Sequence, residues 1–114
     1  MNSKSKFQIY KSGKEYRFRL FAKNGRVILT GEAYTAEQNC FKGIISVQKN
    51  SQDDNCYVKK KSANGEFYFV LKARNGEIIG VSQMYTTNSG RKTGINSVKV
   101  NAHKALIEDL IFRL

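Results

Sequence analysis

The fold of this chain is decided by a stretch that occurs twice: EYRFRLFAKNGRVILTGEAYTAEQNCFKGIISVQKN at residues 15–50 and EFYFVLKARNGEIIGVSQMYTTNSGRKTGINSVKVN at residues 66–101. A shift of 51 residues aligns the two copies without a gap and gives 14 identities in 36 positions. A unit of about 50 residues can build only a marginal hydrophobic core by itself. We therefore predict that the copies share one core in a single domain, residues 1–114, with repeat 1 at 7–54 and repeat 2 at 56–114.

The first half of each copy has the two-residue period of a β-strand. One side of this strand is apolar in both copies: Tyr16, Phe18, Leu20 and Ala22 in the first, Phe67, Phe69, Leu71 and Ala73 in the second. Asn24-Gly25 and Asn75-Gly76 follow the two strands. They predict tight hairpins, because Asn and Gly tolerate the positive φ angles of a type I′ turn.

The second half of each copy has helical spacing. Thr35 and Gln38 have the positions of a capping box at the start of the first helix, and Thr86 is the expected cap of the second. One stripe of residues recurs at spacings of three and four beside Gly43 and Gly94, and it is apolar except for Arg91. Its members are Cys40, Ile44 and Val47 in the first helix and Arg91, Ile95, Val98 and Ala102 in the second. Because Arg91 stands where the first copy has Cys40, we expect the first turn of the second helix to reach an edge of the molecule.

Segments outside the copies complete the predicted fold. Phe7–Lys11 alternates like a strand, and Tyr57 corresponds to Phe7 at an offset of 50 residues. The apolar tail Ala105–Leu114 is interpreted as a last strand. The order is therefore three strands, a helix, three strands, a helix and a strand. It predicts an α+β fold of two tandem β3-α repeats that form one antiparallel sheet, with both helices on one face and the other face open to water.

Motifs in both copies carry a resemblance to a known family. Residues 7–50 contain F-x-I-Y-K, Y-R-F-R-L-x-A-x-N-G-x-V-I-L-T and G-I-x-S-V-x-x-N, and residues 68–98 contain Y-F-V-L-K-A-x-N-G-x-I-I-G-x-S-x-M-Y and G-I-x-S-V. In these motifs the chain resembles the YegP-like family, a tandem-repeat family without an established activity. The resemblance implies a pseudo-twofold α+β fold in which two β3-α units form one sheet and exchange their C-terminal strands, and it implies no catalytic residue. The chain departs from the pattern at Thr30-Gly31, where Thr-Ser is expected, and in its apolar tail, Ile111–Leu114.

The chain is strongly basic, with a formal net charge of +11 from 20 Lys and Arg against 9 Asp and Glu. Such an excess favours polyanions, either nucleic acid or an anionic membrane surface, or it serves only to keep a monomeric protein soluble. No apolar run approaches the ~20 residues of a membrane-spanning helix. The N-terminus also lacks the apolar region of a signal peptide. We expect a cytoplasmic protein that makes no membrane contact.

Catalysis and metal binding find little support in the sequence. The one histidine, His103, follows the second helix and is near neither cysteine in sequence. Cys40 and Cys56 are interpreted as small buried or half-buried thiols, while a bridge between them is left open. One histidine and two separated cysteines do not compose a zinc site. Glu108 and Asp109 are neighbours in a predicted strand and should point to opposite faces. We predict a non-enzymatic protein without metal or cofactor.

The candidate binding surface is the face of the sheet opposite the helices. There cations and aromatic rings combine charge for phosphates with rings for base stacking, as in proteins that bind single-stranded nucleic acid. The residues of this nucleic-acid-binding hypothesis are Arg17, Arg19, Phe21, Lys23, Tyr68, Lys72 and Arg74. The alternative is a protein–protein interaction or self-association module that uses the same face and the C-terminal edge. In this alternative Phe21, Tyr68 and Val70 are exposed for contact with a partner. We expect the protein to be a monomer or a weak homodimer. A third interpretation gives this face no binding role, because β-strands favour aromatic residues in any protein and an exposed face carries polar residues.

Overall fold

The computed structural model describes residues 4–113, so Met1–Ser3 and Leu114 lie outside the described part of the chain. The elements follow in the order β1 (Lys6–Ser12), β2 (Glu15–Phe21), β3 (Val27–Thr30), α1 (Glu37–Asn50), β4 (Tyr57–Lys61), β5 (Phe67–Lys72), β6 (Ile78–Val81), α2 (Asn88–Ala102) and β7 (Leu106–Asp109). A short 3₁₀ turn, Asp54–Cys56, leads from α1 into β4. The predicted order of strands and helices is confirmed.

The strands form one sheet in the order β4-β5-β6-β3-β2-β1-β7. The two repeats meet where Thr30 of β3 pairs with Val81 of β6. Each strand that follows a helix extends the sheet beside the first hairpin of the opposite half: β4, which follows α1, pairs with β5, and β7, which follows α2, pairs with β1. The α+β class and the exchange of C-terminal strands are therefore confirmed.

The sheet is mixed, whereas the sequence predicted a wholly antiparallel one. β7 runs parallel to β1, and the other strand pairs are antiparallel. The cause is the path of α2, which contacts β3 and β1 of the other repeat as well as β5. The chain leaves this helix beside the start of β1, where the Leu106 N–H donates to the Ser5 carbonyl at 3.3 Å. From that point β7 can follow β1 only in the same direction.

β4 is the structural counterpart of β1. Each pairs antiparallel with the strand before an Asn-Gly turn, Phe7 opposite Leu20 in one repeat and Tyr57 opposite Leu71 in the other. This register confirms the offset of 50 residues between the two strands. Residues of β1 and β4 can therefore be compared one by one.

Both helices pack on the same face of the sheet over a single core. The core side chains come from both repeats, and the largest fully buried ones are Phe7, Ile9, Phe18, Leu20, Leu29, Ile44, Phe69 and Leu71. Two glycines allow the helices to approach: a Cβ atom on Gly43 would overlap the Tyr34 hydroxyl, and one on Gly94 would overlap the Tyr85 hydroxyl. The shared core leaves the opposite face of the sheet uncovered by either helix. Neither described helix is long and apolar enough to cross a membrane.

The starts of both helices differ from the predicted caps. Ala36 is the N-cap of α1 and makes no side-chain capping bond, so the capping box of Thr35 and Gln38 is wrong. Thr87, not Thr86, caps α2 by accepting a 2.9 Å hydrogen bond from the Gly90 N–H. In α1 the acidic side chain of Glu37 stands in the first turn, where a negative charge complements the helix dipole.

Both cysteines are free and buried, so the structure contains no Cys40–Cys56 bridge. Burial raises the pKa of the Cys40 thiol to about 11, and nearby Glu37 adds to the shift. The unfolded chain releases this proton first as the pH rises, from its ordinary pKa of 9.0. The thiol's contribution to stability is therefore fully present below pH 9.0 and is lost as the pH approaches about 11.

We accordingly expect stability to fall with alkaline pH and the fall to begin near the ordinary thiol pKa. Burial also raises the pKa of the Cys56 thiol from 9.0, so the two thiols share the early part of the fall. The pKa values of Tyr34 and Tyr57 are raised by burial as well, but from an ordinary value of 10.0, so the tyrosines should act later. Urea unfolding from about pH 8 to about pH 11 measures the slope. The matched protein is Cys40→Ala, in which the early part of the slope should shrink. Equal slopes for the two proteins would contradict the assignment to Cys40.

Candidate nucleic-acid interface

The face of the sheet opposite the helices carries the candidate site. We call it the open face and define it by the outward side chains of four strands: Lys6, Gln8, Tyr10, Arg17, Arg19, Phe21, Val58, Lys60, Tyr68, Val70 and Lys72. They alternate with buried neighbours such as Phe18 and Leu20, because successive residues of a strand point to opposite faces. No helix of the described chain covers them.

Arg19 lies at the centre of the repeat 1 half of the open face. Its guanidinium carbon is 4.5 Å from the centroid of the Tyr10 ring and 5.6 Å from that of Phe21. Its Nε donates to Oε1 of Gln8 at 2.9 Å. No carboxylate of residues 4–113 forms a salt bridge with it. Arg19 is thus held in place by rings and an amide and keeps its charge available for a phosphate.

β7 brings a carboxylate to the margin of the same half. Glu108 Oε1 accepts a 2.9 Å hydrogen bond from Gln8 Nε2 and lies 3.1 Å from Lys6 Nζ. These two hydrogen bonds, Gln8 first, lower the pKa of Glu108. Asp109 has other partners, the Ile111 N–H and Arg113, so the two carboxylates do not form a pair, as predicted. Glu108 neutralises Lys6 and leaves Arg19 unpaired.

Arg17 and Lys23 flank the centre of this half. Arg17 lies 3.3 Å from Oε1 of Glu15, an exposed pair. Lys23 lies past the end of β2 and lines a cleft of about 720 Å³ together with Lys4, Lys6 and Phe21. Glu108 also lines this cleft and pairs with Lys6, so Lys4 and Lys23 supply the excess positive charge of this corner.

The repeat 2 half of the open face is more apolar than expected. Tyr68 and Lys72 occupy the predicted face, at half-buried positions. Val70, predicted to be exposed, is only 3% exposed because it lies between Val58 and Val81 of the neighbouring strands. Tyr68 therefore stands beside an apolar floor, and charge is scarcer here than in repeat 1.

Arg74 does not lie on the open face, which corrects the sequence prediction. β5 ends at Lys72, and its pairing with β6 shifts register between Leu71 and Lys72. The two-residue alternation therefore stops before Arg74. Its side chain is 83% exposed and lies 3.7 Å from Asp53, which precedes the 3₁₀ turn after α1. Arg74 belongs to the helix side of the molecule.

The sequence prediction omitted residues from the neighbouring strands. Lys6, Gln8 and Tyr10 of β1 complete the surroundings of Arg19, and Lys60 of β4 pairs in register with Tyr68. The signal was present, because Phe7–Lys11 alternates apolar and polar residues. What the sequence alone did not supply was the pairing that puts Tyr10 and Phe21 against one guanidinium.

His103, the cysteines and the acidic side chains were the groups that the sequence analysis considered for catalysis or metal binding. His103 is exposed at the end of α2, with its Nδ1 3.2 Å from the Lys99 carbonyl oxygen. Cys40 is fully buried, and its raised pKa keeps the thiol protonated near neutral pH. Residues 4–113 contain no group of three or more His, Cys, Asp or Glu side chains that could hold a metal ion.

Comparison with known proteins gives the chain a family. A family model described as a domain of unknown function, DUF1508, matches residues 11–57 and again residues 62–109. The UPF0339 protein YegP of Escherichia coli strain K12 is 49% identical over 104 residues, which are 90% of this chain and 94% of the relative. The UPF0339 protein PA0329 of Pseudomonas aeruginosa is 43% identical over 95 residues, 83% of this chain and 86% of the relative.

Two solved structures share the fold. The solution NMR structure of yegP from E. coli, described as a protein of unknown function, has a TM-score of 0.91 and 45% identity, with 98% of this chain and 97% of that chain covered. The UPF0339 protein SO3888 from Shewanella oneidensis has a TM-score of 0.89 and 42% identity, with coverage of 94% and 92%. The chain therefore belongs to the UPF0339 family of YegP-like proteins, built from two DUF1508 repeats and of unknown function.

Proposed function

We propose that this protein is a non-enzymatic binding module that holds single-stranded nucleic acid on its open face. The observation that carries the proposal is the position of Arg19 against the rings of Tyr10 and Phe21. Flat cations and aromatic rings on an uncovered sheet stack with bases of any sequence, while the charge attracts phosphates. Because these side chains already contact one another, less of their freedom remains to be lost on binding.

The charge of the open face supports the same function. Its cations are Lys6, Arg17, Arg19, Lys60 and Lys72, whereas the carboxylates near it are Glu15 and Glu108 at the margin and Glu66 before β5. With about three free cations in contact with phosphates, the logarithm of affinity should fall with the logarithm of salt concentration with a slope of about −2. Stacking should set the remaining, salt-insensitive part of the affinity.

The experiment is a fluorescence anisotropy titration of labelled single-stranded RNA and DNA of about 12 nucleotides, repeated between ~50 and ~200 mM salt. Lys72→Ala should flatten the salt slope by about 0.7, because one phosphate contact is lost. Arg74→Ala is the matched control, two residues away but on the helix side, and should leave the slope unchanged. A protein that binds neither strand at the lowest salt, or a slope that only Arg74→Ala changes, would exclude this function.

Self-association through the C-terminal edge is a second candidate function. Leu106, Leu110 and Phe112 are 61%, 50% and 83% exposed along and after β7, an unusual run of exposed apolar side chains. Sedimentation velocity over a range of concentrations tests this candidate. A dimer that dissociates when Phe112 is replaced with alanine supports it, and a monomer at every concentration excludes it.

A further inference from the structure

The two outermost places in the sheet are filled differently. β1 and β4 are counterparts, but β1 is covered by β7, whereas β4 is the terminal strand and has no neighbour on its outer side within residues 4–113. An uncovered edge strand presents unpaired N–H and C=O groups that can pair with another extended segment. The outer side of β1 is therefore paired with β7, and we call it the filled edge. The outer side of its counterpart β4 has no partner strand within residues 4–113, and we call it the vacant edge.

β7 shows how such an edge accepts a strand. The Leu110 N–H donates to the Ile9 carbonyl at 2.9 Å, and β7 runs parallel to β1 with Ile107 opposite Phe7 and Asp109 opposite Ile9. Lys59 is the counterpart of Ile9, at the established offset of 50 residues. Its carbonyl group should accordingly face away from β5, toward the free edge, and its N–H with it.

The charge around the vacant edge is strongly positive. Lys59, Lys60 and Lys61 occupy β4, and the adjoining helix α2 adds Arg91, Lys92 and Lys99, of which only Lys99 has a carboxylate partner, Asp54, in the described chain. Asp54, Tyr57, Lys59, Lys92, Ile95 and Lys99 line a cleft of about 370 Å³ between the strand and the helix. Cations thus surround the groups that a new strand would meet.

The filled edge has the opposite charge. β7 contributes Glu108 and Asp109, and Arg113 after it forms an ion pair with Glu37 in the first turn of α1. In α2 the counterpart of Glu37 is Asn88, and that of Cys40 is Arg91. Arg91 lies 5.1 Å from the Phe67 ring centroid and donates to the Lys60 carbonyl at 2.8 Å, so it contacts the edge strand. A strand followed by a basic residue therefore suits the filled edge, where Glu37 of α1 lies. A strand followed by acidic residues suits the vacant edge, where Arg91 of α2 lies.

We propose that the vacant edge of β4 binds an extended acidic segment of another protein, added parallel to β4 as β7 is added to β1. In the register of β7, an apolar side chain would lie beside Tyr57 and a carboxylate beside Lys59. Acidic residues that follow would meet Arg91 and Lys92. A second copy of this chain does not fit at this edge, because its own β7 is already paired with β1 and lysines on an edge strand oppose the pairing of two β4 strands.

The test uses a fluorescent peptide, ALIEDLEEE, which keeps the β7 sequence and continues with acidic residues, and its charge-reversed partner, ALIKKLKKK. Anisotropy should show binding of the acidic peptide alone. Lys59→Glu should weaken that binding by about five- to tenfold and should strengthen binding of the reversed peptide. Lys14→Glu makes the same change of net charge at the distant turn between β1 and β2, and it should alter affinity by less than about twofold.

Two-dimensional amide NMR of the full chain locates the peptide. The expected shifts lie in Tyr57–Lys61 and the first turn of α2, with slower hydrogen exchange at the Lys59 amide. Absence of acidic-peptide binding, shifts confined to other strands, equal effects of Lys59→Glu and Lys14→Glu, or self-association of the protein through β4 would overturn the proposal. Shifts in Tyr57–Lys61 caused by single-stranded RNA and not by the peptide would overturn it as well. Loss of RNA binding at the open face would leave the peptide result unchanged, because Arg19 and Lys59 lie on different strands and opposite faces.

Discussion

Replacing Phe18 with alanine is expected to lower the free energy of unfolding by about 3–5 kcal/mol. The Phe18 ring is fully buried, 6.0 Å from the Phe7 centroid and stacked on Tyr34 at 6.4 Å. A Cβ on Gly31 would overlap this ring, so the backbone already lies against it and can close little of the cavity left by the substitution. A domain of this size is usually stable by ~5–15 kcal/mol, so the loss would be a large part of the total.

Urea unfolding followed by circular dichroism measures this loss. Phe112→Ala is the matched control, because it deletes the same atoms from a ring that is 83% exposed, and it should change stability by less than about 0.5 kcal/mol. Both proteins should unfold in a single transition, since one core joins the two repeats. Two separate transitions would show that the repeats fold independently and would contradict the shared core. Similar losses for the two variants would contradict the burial of Phe18 in that core.

Removing both Arg19 and Phe21 is expected to weaken single-stranded RNA binding by at least about thirtyfold. Loss of one stacking ring costs ~1–3 kcal/mol, and loss of the guanidinium removes a phosphate contact as well as a second stacking surface. Both side chains lie on the open face, and Lys6 also contacts the Phe21 ring, at 5.5 Å from its centroid. The double variant therefore disrupts the centre of the candidate interface without touching the core.

The matched control is Arg74→Ala with Phe112→Ala, which deletes the same atoms from the helix side and from the C-terminal tail. Anisotropy titrations of both double variants at one salt concentration compare them directly, and thermal unfolding confirms that each is folded. Affinity within about threefold of the unchanged protein for Arg19→Ala with Phe21→Ala would contradict the assigned interface. An equal loss in the control would show that net charge alone drives binding.

The repeat made most of the fold predictable. Because Phe18 aligns with Phe69 and Leu20 with Leu71, the inner face of both strands could be read from alternation, and the structure buries all four side chains completely. Asn-Gly pairs located the hairpins, where Gly25 and Gly76 have φ angles of 83° and 89°. The type I′ turn was wrong, because it needs a positive φ at the asparagine as well, and within residues 4–113 only glycines have one. These signals are local, since they depend on residues close together in sequence.

Features that depend on long-range geometry were not predictable in the same way. The direction of β7 follows from the path of α2 across the sheet, and no local pattern in Ala105–Leu114 encodes it. Arg74 was misplaced because alternation was extended beyond the register shift at Lys72. Val70 was expected to be exposed, but Val58 and Val81 of the two neighbouring strands lie beside it, in a register that the sequence did not reveal.

The candidate site divides along the same line. The outward positions of Arg17, Arg19 and Phe21 followed from strand alternation, whereas the contact of Arg19 with Tyr10 required the β1–β2 register. The vacant edge of β4 required the full strand order. The basic charge was predictable from composition. Its distribution between the open face and the vacant edge required the structure.

The most direct test of the proposed function is an amide NMR titration of the full chain with single-stranded RNA of about eight nucleotides. Binding at the open face predicts salt-sensitive shifts at Tyr10, Arg17, Arg19, Phe21 and Tyr68, with the outward faces of α1 and α2 unchanged. Shifts confined to the helices or to the outer edge of β4, with Arg19 unaffected, would contradict it.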